Sequence, residues 1–178
     1  ISLREAITAA NNTANGPGGV DRILFSIAGS GPHSISLSSA LPTVTQAVII
    51  DGSSEPDFAG TPVIELNGAG VGTSSSGILL GSGSSGSTVK GLVINRFSLS
   101  GIRIEGGSGG NLITGNYLGT DTTGLLDRGN TKWGLDLEVS GGNNVIGGSS
   151  AALRNVISGN DLGGVSFNGA TVTGNLLQ

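Results

Sequence analysis

The stretch GIRIEGGSGGNLITGN, Gly101 to Asn116, returns thirty-three positions later as GLDLEVSGGNNVIGGS, Gly134 to Ser149. Its opening, a glycine followed by alternating apolar positions, recurs along the chain as Gly77-Ile78-Leu79-Leu80, Gly101-Ile102-Arg103-Ile104, Gly134-Leu135-Asp136-Leu137 and Gly164-Val165-Ser166-Phe167, at spacings of 24, 33 and 30 residues. Apolar residues alternate only briefly before glycine or serine interrupts, which is the period of a short strand and too short a run for a helix. Each unit reads as strand, Gly-rich turn, strand, turn, strand, as in Ser87 to Ile94, Gly101 to Glu105 and Asn111 to Gly115.

The first unit aligns with the second without a gap, Gly77 to Gly91 against Gly101 to Gly115, and extra length enters only afterwards. GTDTTGLLDRGNTK, Gly119 to Lys132, reads as a protruding loop, and SSAALRN, Ser149 to Asn155, is placed near the equivalent corner. Coils that stack strand on strand while letting a corner bulge form a solenoid. The expected fold is an all-β right-handed parallel β-helix with about three short strands per coil. The handedness follows from the general preference of parallel crossovers. One domain spans residues 1–178: a cap helix and lead-in loop over 1–20, less regular first coils over 21–76, and regular coils over 77–178 with the loop at 119–132. In the first coils, DRILFSI, HSISLS, AVIIDG and PVIELNG, starting at Asp21, His33, Ala47 and Pro62, continue the strand rhythm.

A solenoid exposes an unpaired end, and the N-terminus supplies a lid. Ser2 and Glu5 have capping-box spacing, Leu3, Ala6, Ile7 and Ala10 share one side, and Asn11 and Asn12 suit the exit. This short amphipathic helix is expected over the first coil, guarding its strand edges. No comparable cap precedes Gln178, so the chain is read as a segment of a longer protein or as one that stacks on another copy through TVTGNLLQ, Thr171 to Gln178.

Composition narrows the partners. Of 178 residues 11% are charged and 3% aromatic, and glycine contributes 34 without a collagen period. The core must therefore be built of small aliphatics. A net charge of −4 with eight Lys and Arg and no basic cluster argues against nucleic acid, and no apolar run is long enough to span a membrane as a helix. Without cysteine and with the single histidine His33, disulfides, thiol chemistry and a histidine-rich metal site are excluded within one chain.

The phrases SLREAI (from Ser2), ANG.GG.DRI.F (Ala14 to Phe25), GNYLGTD.TG (Gly115 to Gly124) and NVIGG.....RNVISGN (Asn144 to Asn160) occur in this order over most of the chain. In that combination the chain resembles bacterial right-handed parallel β-helix surface proteins that carry a CSLREA-type motif, with Ile1 where the family usually has its cysteine. The resemblance implies a large secreted or surface-anchored, adhesin-like protein, with an extracellular or cell-surface location and few assigned activities.

Polysaccharide lyases and glycosidases share this pectin lyase-like fold, so any activity has to be argued from side chains. Stacked coils place aligned positions about 4.8 Å apart, setting Arg103 over Asp136 and Glu105 over Glu138 on the outward face. Arg103 with Asp136 reads as an exposed ion pair. The like-charged Glu105 and Glu138 should splay apart, share a proton or bind a hard cation such as calcium. Such a pair would also suit a retaining glycosidase, whose carboxyls lie about 5 to 5.5 Å apart.

In the inserted loop Asp121 and Asp127 flank TTGLL, with Tyr117 before it and Trp133 closing it. Leu125, Leu126 and Trp133 are expected to fold the loop back as a small satellite core; the competing reading stacks a carbohydrate on Trp133 beside the carboxylate face. A lyase needs a base beside a sugar carboxylate, yet Lys90, Lys132, Arg96, Arg103, Arg128 and Arg154 show no acidic cluster legible in the sequence, and His33 reads as a surface or turn residue. The asparagines read as scaffold: Asn111 and Asn144 align at a turn, where amides can stack as a ladder, and Asn116, Asn160 and Asn175 repeat the Gly-Asn phrase. The expected function is a non-catalytic structural or adhesive module requiring no cofactor, with a carbohydrate or cell-surface ligand and self-association as candidate partnerships. The alternative is a carbohydrate-active enzyme using Glu105 and Glu138.

Overall fold

A computed structural model describes residues 1–139, 141–169 and 172–178. Thr171, which opens the terminal segment expected to mediate stacking, lies outside the described residues. The helix α1 (Leu3–Asn12) forms where the capping box predicts it: the Ser2 hydroxyl accepts from the Glu5 backbone N–H, and the Glu5 carboxylate accepts from the Ser2 N–H at 2.7 Å. Leu3, Ile7 and Ala10 are buried against the first coil. Arg4 donates to the carbonyls of Ser39 and Ala40, and Asn11 exchanges bonds with Thr43 and Thr45, so the lid is tied down at both ends.

Strands then follow coil by coil. The first coil is β1 (Asp21–Leu24), β2 (His33–Ser36) and Val44, which bridges to Leu80 below it. The second is β3 (Val48–Asp51), β4 (Ile64–Asn67) and β5 (Ile78–Leu80), and the third is β6 (Thr88–Lys90), β7 (Leu92–Asn95) and β8 (Ile102–Ile104). The fourth is β9 (Leu112–Thr114), β10 (Tyr117–Leu118) and β11 (Trp133–Glu138), and the fifth is β12 (Val145–Ile146), β13 (Val156–Ile157) and β14 (Gly163–Asn168), before β15 (Leu176–Leu177) begins the next turn. Every ladder is parallel, and the strands assemble into three sheets ordered β1-β3-β6-β9-β12-β15, β2-β4-β7-β10-β13 and β5-β8-β11-β14. Among the described residues the chain is thus an all-β parallel solenoid with one short α-helix.

The core is a set of aliphatic columns. Ile23, Ile50, Val89, Ile113 and Ile146 stack in the first sheet, Leu66, Ile94 and Leu118 in the second, and Leu80, Ile104 and Leu137 in the third. Each is buried. Further along, the corresponding positions Phe167 in the fifth coil and Leu177 in the turn that follows it are exposed. The alignment of Gly101 with Gly134 holds residue for residue: Ile102, Arg103 and Ile104 pair with Leu135, Asp136 and Leu137.

The phrase-opening glycines form a column of their own. A Cβ on Gly77 would stand 2.5 Å from the Gly101 carbonyl oxygen, one on Gly101 would stand 2.8 Å from that of Gly134, and one on Gly134 would stand 3.0 Å from that of Gly164. No room for a side chain exists between these coils.

Asparagine ladders bind the three corners. Before the first sheet, the Asn144 Oδ1 accepts from the Asn111 N–H and Nδ2, and the Asn175 Oδ1 accepts likewise from Asn144. Asn155 serves Asn116 before the second sheet, and Asn160 serves Asn130 before the third. Each amide thus satisfies a backbone donor of the coil above, a role that buried turn backbone requires.

The insertions do not share one corner. Residues 119–132 lie between β10 and β11, whereas 149–155 lie between β12 and β13, at the corner where residues 52–63 also bulge. Alignment on the third sheet alone registers added length without revealing how many strands precede it.

Candidate functional site

The outward face of the third sheet carries the carboxylates singled out by the repeat. Ile102, Ile104, Leu135 and Leu137 point inward and are fully buried, leaving Arg103, Asp136 and Glu138 outward. Arg103 does not take Asp136 as its ion-pair partner. Its Nε lies 3.0 Å from Glu105 Oε2 and its Nη2 donates to Glu138 Oε2. Glu105 and Glu138 therefore neither splay as an unneutralised pair nor face one another alone: one guanidinium joins them. Arg103 reaches both because it sits one coil above Glu138 and two residues before Glu105 on the same face.

Asp136 is left almost wholly buried. Burial holds its carboxyl above the ordinary aspartate range and Glu138 adds to this, while the Ser166 hydroxyl, Arg103 and Lys132 pull the other way. With the folded value raised, the native state binds more protons than the unfolded chain as pH rises from the ordinary aspartate value through the raised one. Stability from this group falls across that window. In Asp136→Asn the stability difference from wild type should move in the variant's favour as pH rises, read by urea unfolding from acid to neutral pH; a difference independent of pH would contradict the assignment.

Asp51 has the opposite sign. Its burial acts to raise the carboxyl, but the Ser53 hydroxyl at 2.5 Å and Lys90 Nζ at 2.9 Å, with Arg22 beyond, outweigh it and hold the group below its ordinary range. Arg96 lies 3.9 Å from Glu65. Lys90, Arg96 and Arg103 are thus each matched to acidic partners that come from other coils or neighbouring positions, pairings that are not legible in the sequence.

The protruding loop is not a satellite core. Leu125 and Leu126 are 85% and 55% exposed. Asp121 Oδ1 instead ties the turn, accepting from the Thr123 hydroxyl at 2.7 Å and from the Leu125 and Leu126 N–H groups, and the Thr123 bond in particular lowers its pKa. Asp127 Oδ1 accepts from the Gly129 N–H at 2.9 Å. Trp133 lies in β11 with its ring over Gly163 of the next coil, where a Cβ would meet Cζ3 at 2.8 Å. Hydrogen bonding within the turn, rather than apolar contact, gives the loop its shape. Tyr117 stands on the second sheet, paired between Val93 and Val156, with Gly124 of the loop against its ring.

His33 is a turn residue by sequence and a largely buried one by structure. It opens β2 above Ile64, and its Nε2 lies 3.9 Å from both Glu55 Oε1 and Asp57 Oδ2. Those carboxylates are themselves tethers between coils, Glu55 accepting from the Ile27 N–H at 3.0 Å and Asp57 from the Gly31 N–H at 2.6 Å. Their meeting depends on the course of the 52–63 insertion, for which the repeat offers no template. Among the described residues no group of three or more Asp, Glu or His is arranged to hold a metal ion, and no helix is long and apolar enough to cross a membrane.

Compared with family models, curated proteins and solved structures, the chain has no match. The resemblance to CSLREA-type surface proteins rests on its sequence phrases alone.

Proposed function

We propose that this chain is a non-catalytic β-helix module of an extracellular or cell-surface protein, a rigid stalk whose sides present adhesive surfaces. The observation that carries this reading is the division of labour along the coil. Residues that recur, the glycine column, the aliphatic columns and the corner asparagines, are consumed in stacking, whereas the extra length that differs from coil to coil sits in corner insertions, where binding surfaces of rigid scaffolds lie. The Arg103 clamp on Glu105 and Glu138 supports a structural role for the carboxylates that the enzyme alternative would use. Self-association is a separate proposal within the same reading, with the exposed Phe167 and Leu177 as the residues that a second copy would cover.

The test is a glycan screen on the purified chain, with and without calcium, reading both polymer retention and release of new sugar ends. Retention without release is the expected outcome. Release that is lost in Glu105→Gln and Glu138→Gln would replace the adhesive reading with the enzyme. Sedimentation of the same preparation at rising concentration reports stacking of copies, and a monomer throughout would remove self-association.

A further inference from the structure

Two insertions rise from the corner between the first and second sheets, residues 52–63 on the second coil and 147–155 on the fifth. Between them the third and fourth coils turn tightly, β6 passing to β7 through Gly91 alone and β9 to β10 through Gly115 and Asn116. The walls therefore enclose a cleft with a low floor. It comprises two neighbouring cavities of about 220 and 200 Å³, both lined by Gly115 and Ala152.

The chemistry of the lining is uneven. Pro62 and Phe58 face the cleft from one wall, and Tyr117 lines it from the second sheet, its ring backed by Gly124. Two cations reach it. Lys90 is neutralised by Asp51 at 2.9 Å, whereas Arg154, exposed on the other wall, makes no side-chain hydrogen bond or ion pair among the described residues. The floor backbone is occupied: Gly91 N–H donates to Thr114 O, Gly115 N–H to Leu153 O and Val156 N–H to Asn116 O. A peptide adding as a β-strand would find no free ladder here. A sugar ring needs only an aromatic or apolar face and side-chain polar groups, and a carboxylate on it would meet the planar fork of an arginine.

We infer that this corner cleft binds a carboxylated polysaccharide, a uronate chain, with its acid group on Arg154 and a ring against Tyr117. The inference rests on the adhesive reading above and gives that reading a place and a ligand class. It assigns the binding surface to a different side of the solenoid from the Glu105 and Glu138 face.

The experiment measures binding of polygalacturonate and of its fully methyl-esterified form to wild type, Arg154→Glu, Ala152→Trp and Arg128→Glu, at low and high salt. Ala152 and Arg154 are exposed, so neither change removes a core contact, and circular dichroism checks the fold of each variant. Wild type is expected to bind polygalacturonate, with binding weakened by salt and by esterification. Arg154→Glu removes the cation and Ala152→Trp fills the cleft, so each should weaken binding about tenfold or more, while Arg128→Glu, the same charge change on the protruding loop, should not. If Arg154→Glu and Ala152→Trp bind as wild type does, the cleft assignment is overturned and the adhesive reading stands. Equal binding of the methyl ester, or retention of neutral polymers alone, overturns the acidic ligand class. Retention of no polymer in the wider screen removes the adhesive reading, and this inference with it.

Discussion

Gly77→Ala is expected to cost about 3 kcal/mol or more, lowering the melting temperature by about 6–12 °C for a chain of this size. The added methyl would stand 2.3 Å from Ile94 Cγ2, 2.5 Å from the Gly101 oxygen and 3.0 Å from Phe97 Cε2. None of these can withdraw cheaply. Ile94 and Phe97 are buried, and the Gly101 oxygen accepts the Ile78 N–H at 3.0 Å, a bond of the ladder itself. The control is Gly164→Ala at the same phrase position, where the nearest atom is 3.6 Å away, an ordinary contact, so its cost should stay within about 0.5 kcal/mol. Urea unfolding of the two variants decides the matter. Equal losses would mean that general backbone freedom of glycine, and not close approach between coils, explains the repeat.

That column also explains which parts of the molecule were legible in the sequence. A glycine that must recur once per coil marks register, so aligning Gly101 with Gly134 placed Arg103 opposite Asp136 correctly. Register constrains Cα positions and the face each side chain takes. It does not decide which of three nearby carboxylates a long, flexible arginine will hold, and the choice of Glu105 and Glu138 over Asp136 emerged only with the side chains in place. The corners were less legible still. His33, Glu55 and Asp57 meet through an insertion that no other coil repeats, and residues 149–155 were placed at the wrong corner because the second sheet has no glycine marker like that of the third. Leu125 and Leu126 misled for a different reason: apolar residues suggest a core, but a turn already satisfied by Asp121 holds them in solvent.

Asn144→Ala should be the most damaging of the ladder substitutions, at about 2–4 kcal/mol. Asn144 is fully buried, and its Oδ1 accepts from both the N–H and the Nδ2 of Asn111, while its own Nδ2 donates to Gly141 O at 3.0 Å and to Asn175 Oδ1 at 2.8 Å. Alanine leaves these partners facing a void that supplies no replacement bonds. Asn175→Ala, in the last coil and half-buried, should cost about 1 kcal/mol, because water can reach the donors it abandons. Asn144→Asp separates the acceptor role from the donor role. It keeps an oxygen for Asn111 but turns a second one toward two acceptors, so the carboxyl is stabilised in its protonated form, its pKa rises, and the native state binds the extra proton. Stability must then fall as pH rises through the window between the unfolded and folded values. At neutral pH Asn144→Asp is expected to be about as unstable as Asn144→Ala and to recover relative to it in acid. Recovery without pH dependence would show that the corner needs only an acceptor, whereas recovery confined to acid identifies the two-sided amide as the element that joins one coil to the next.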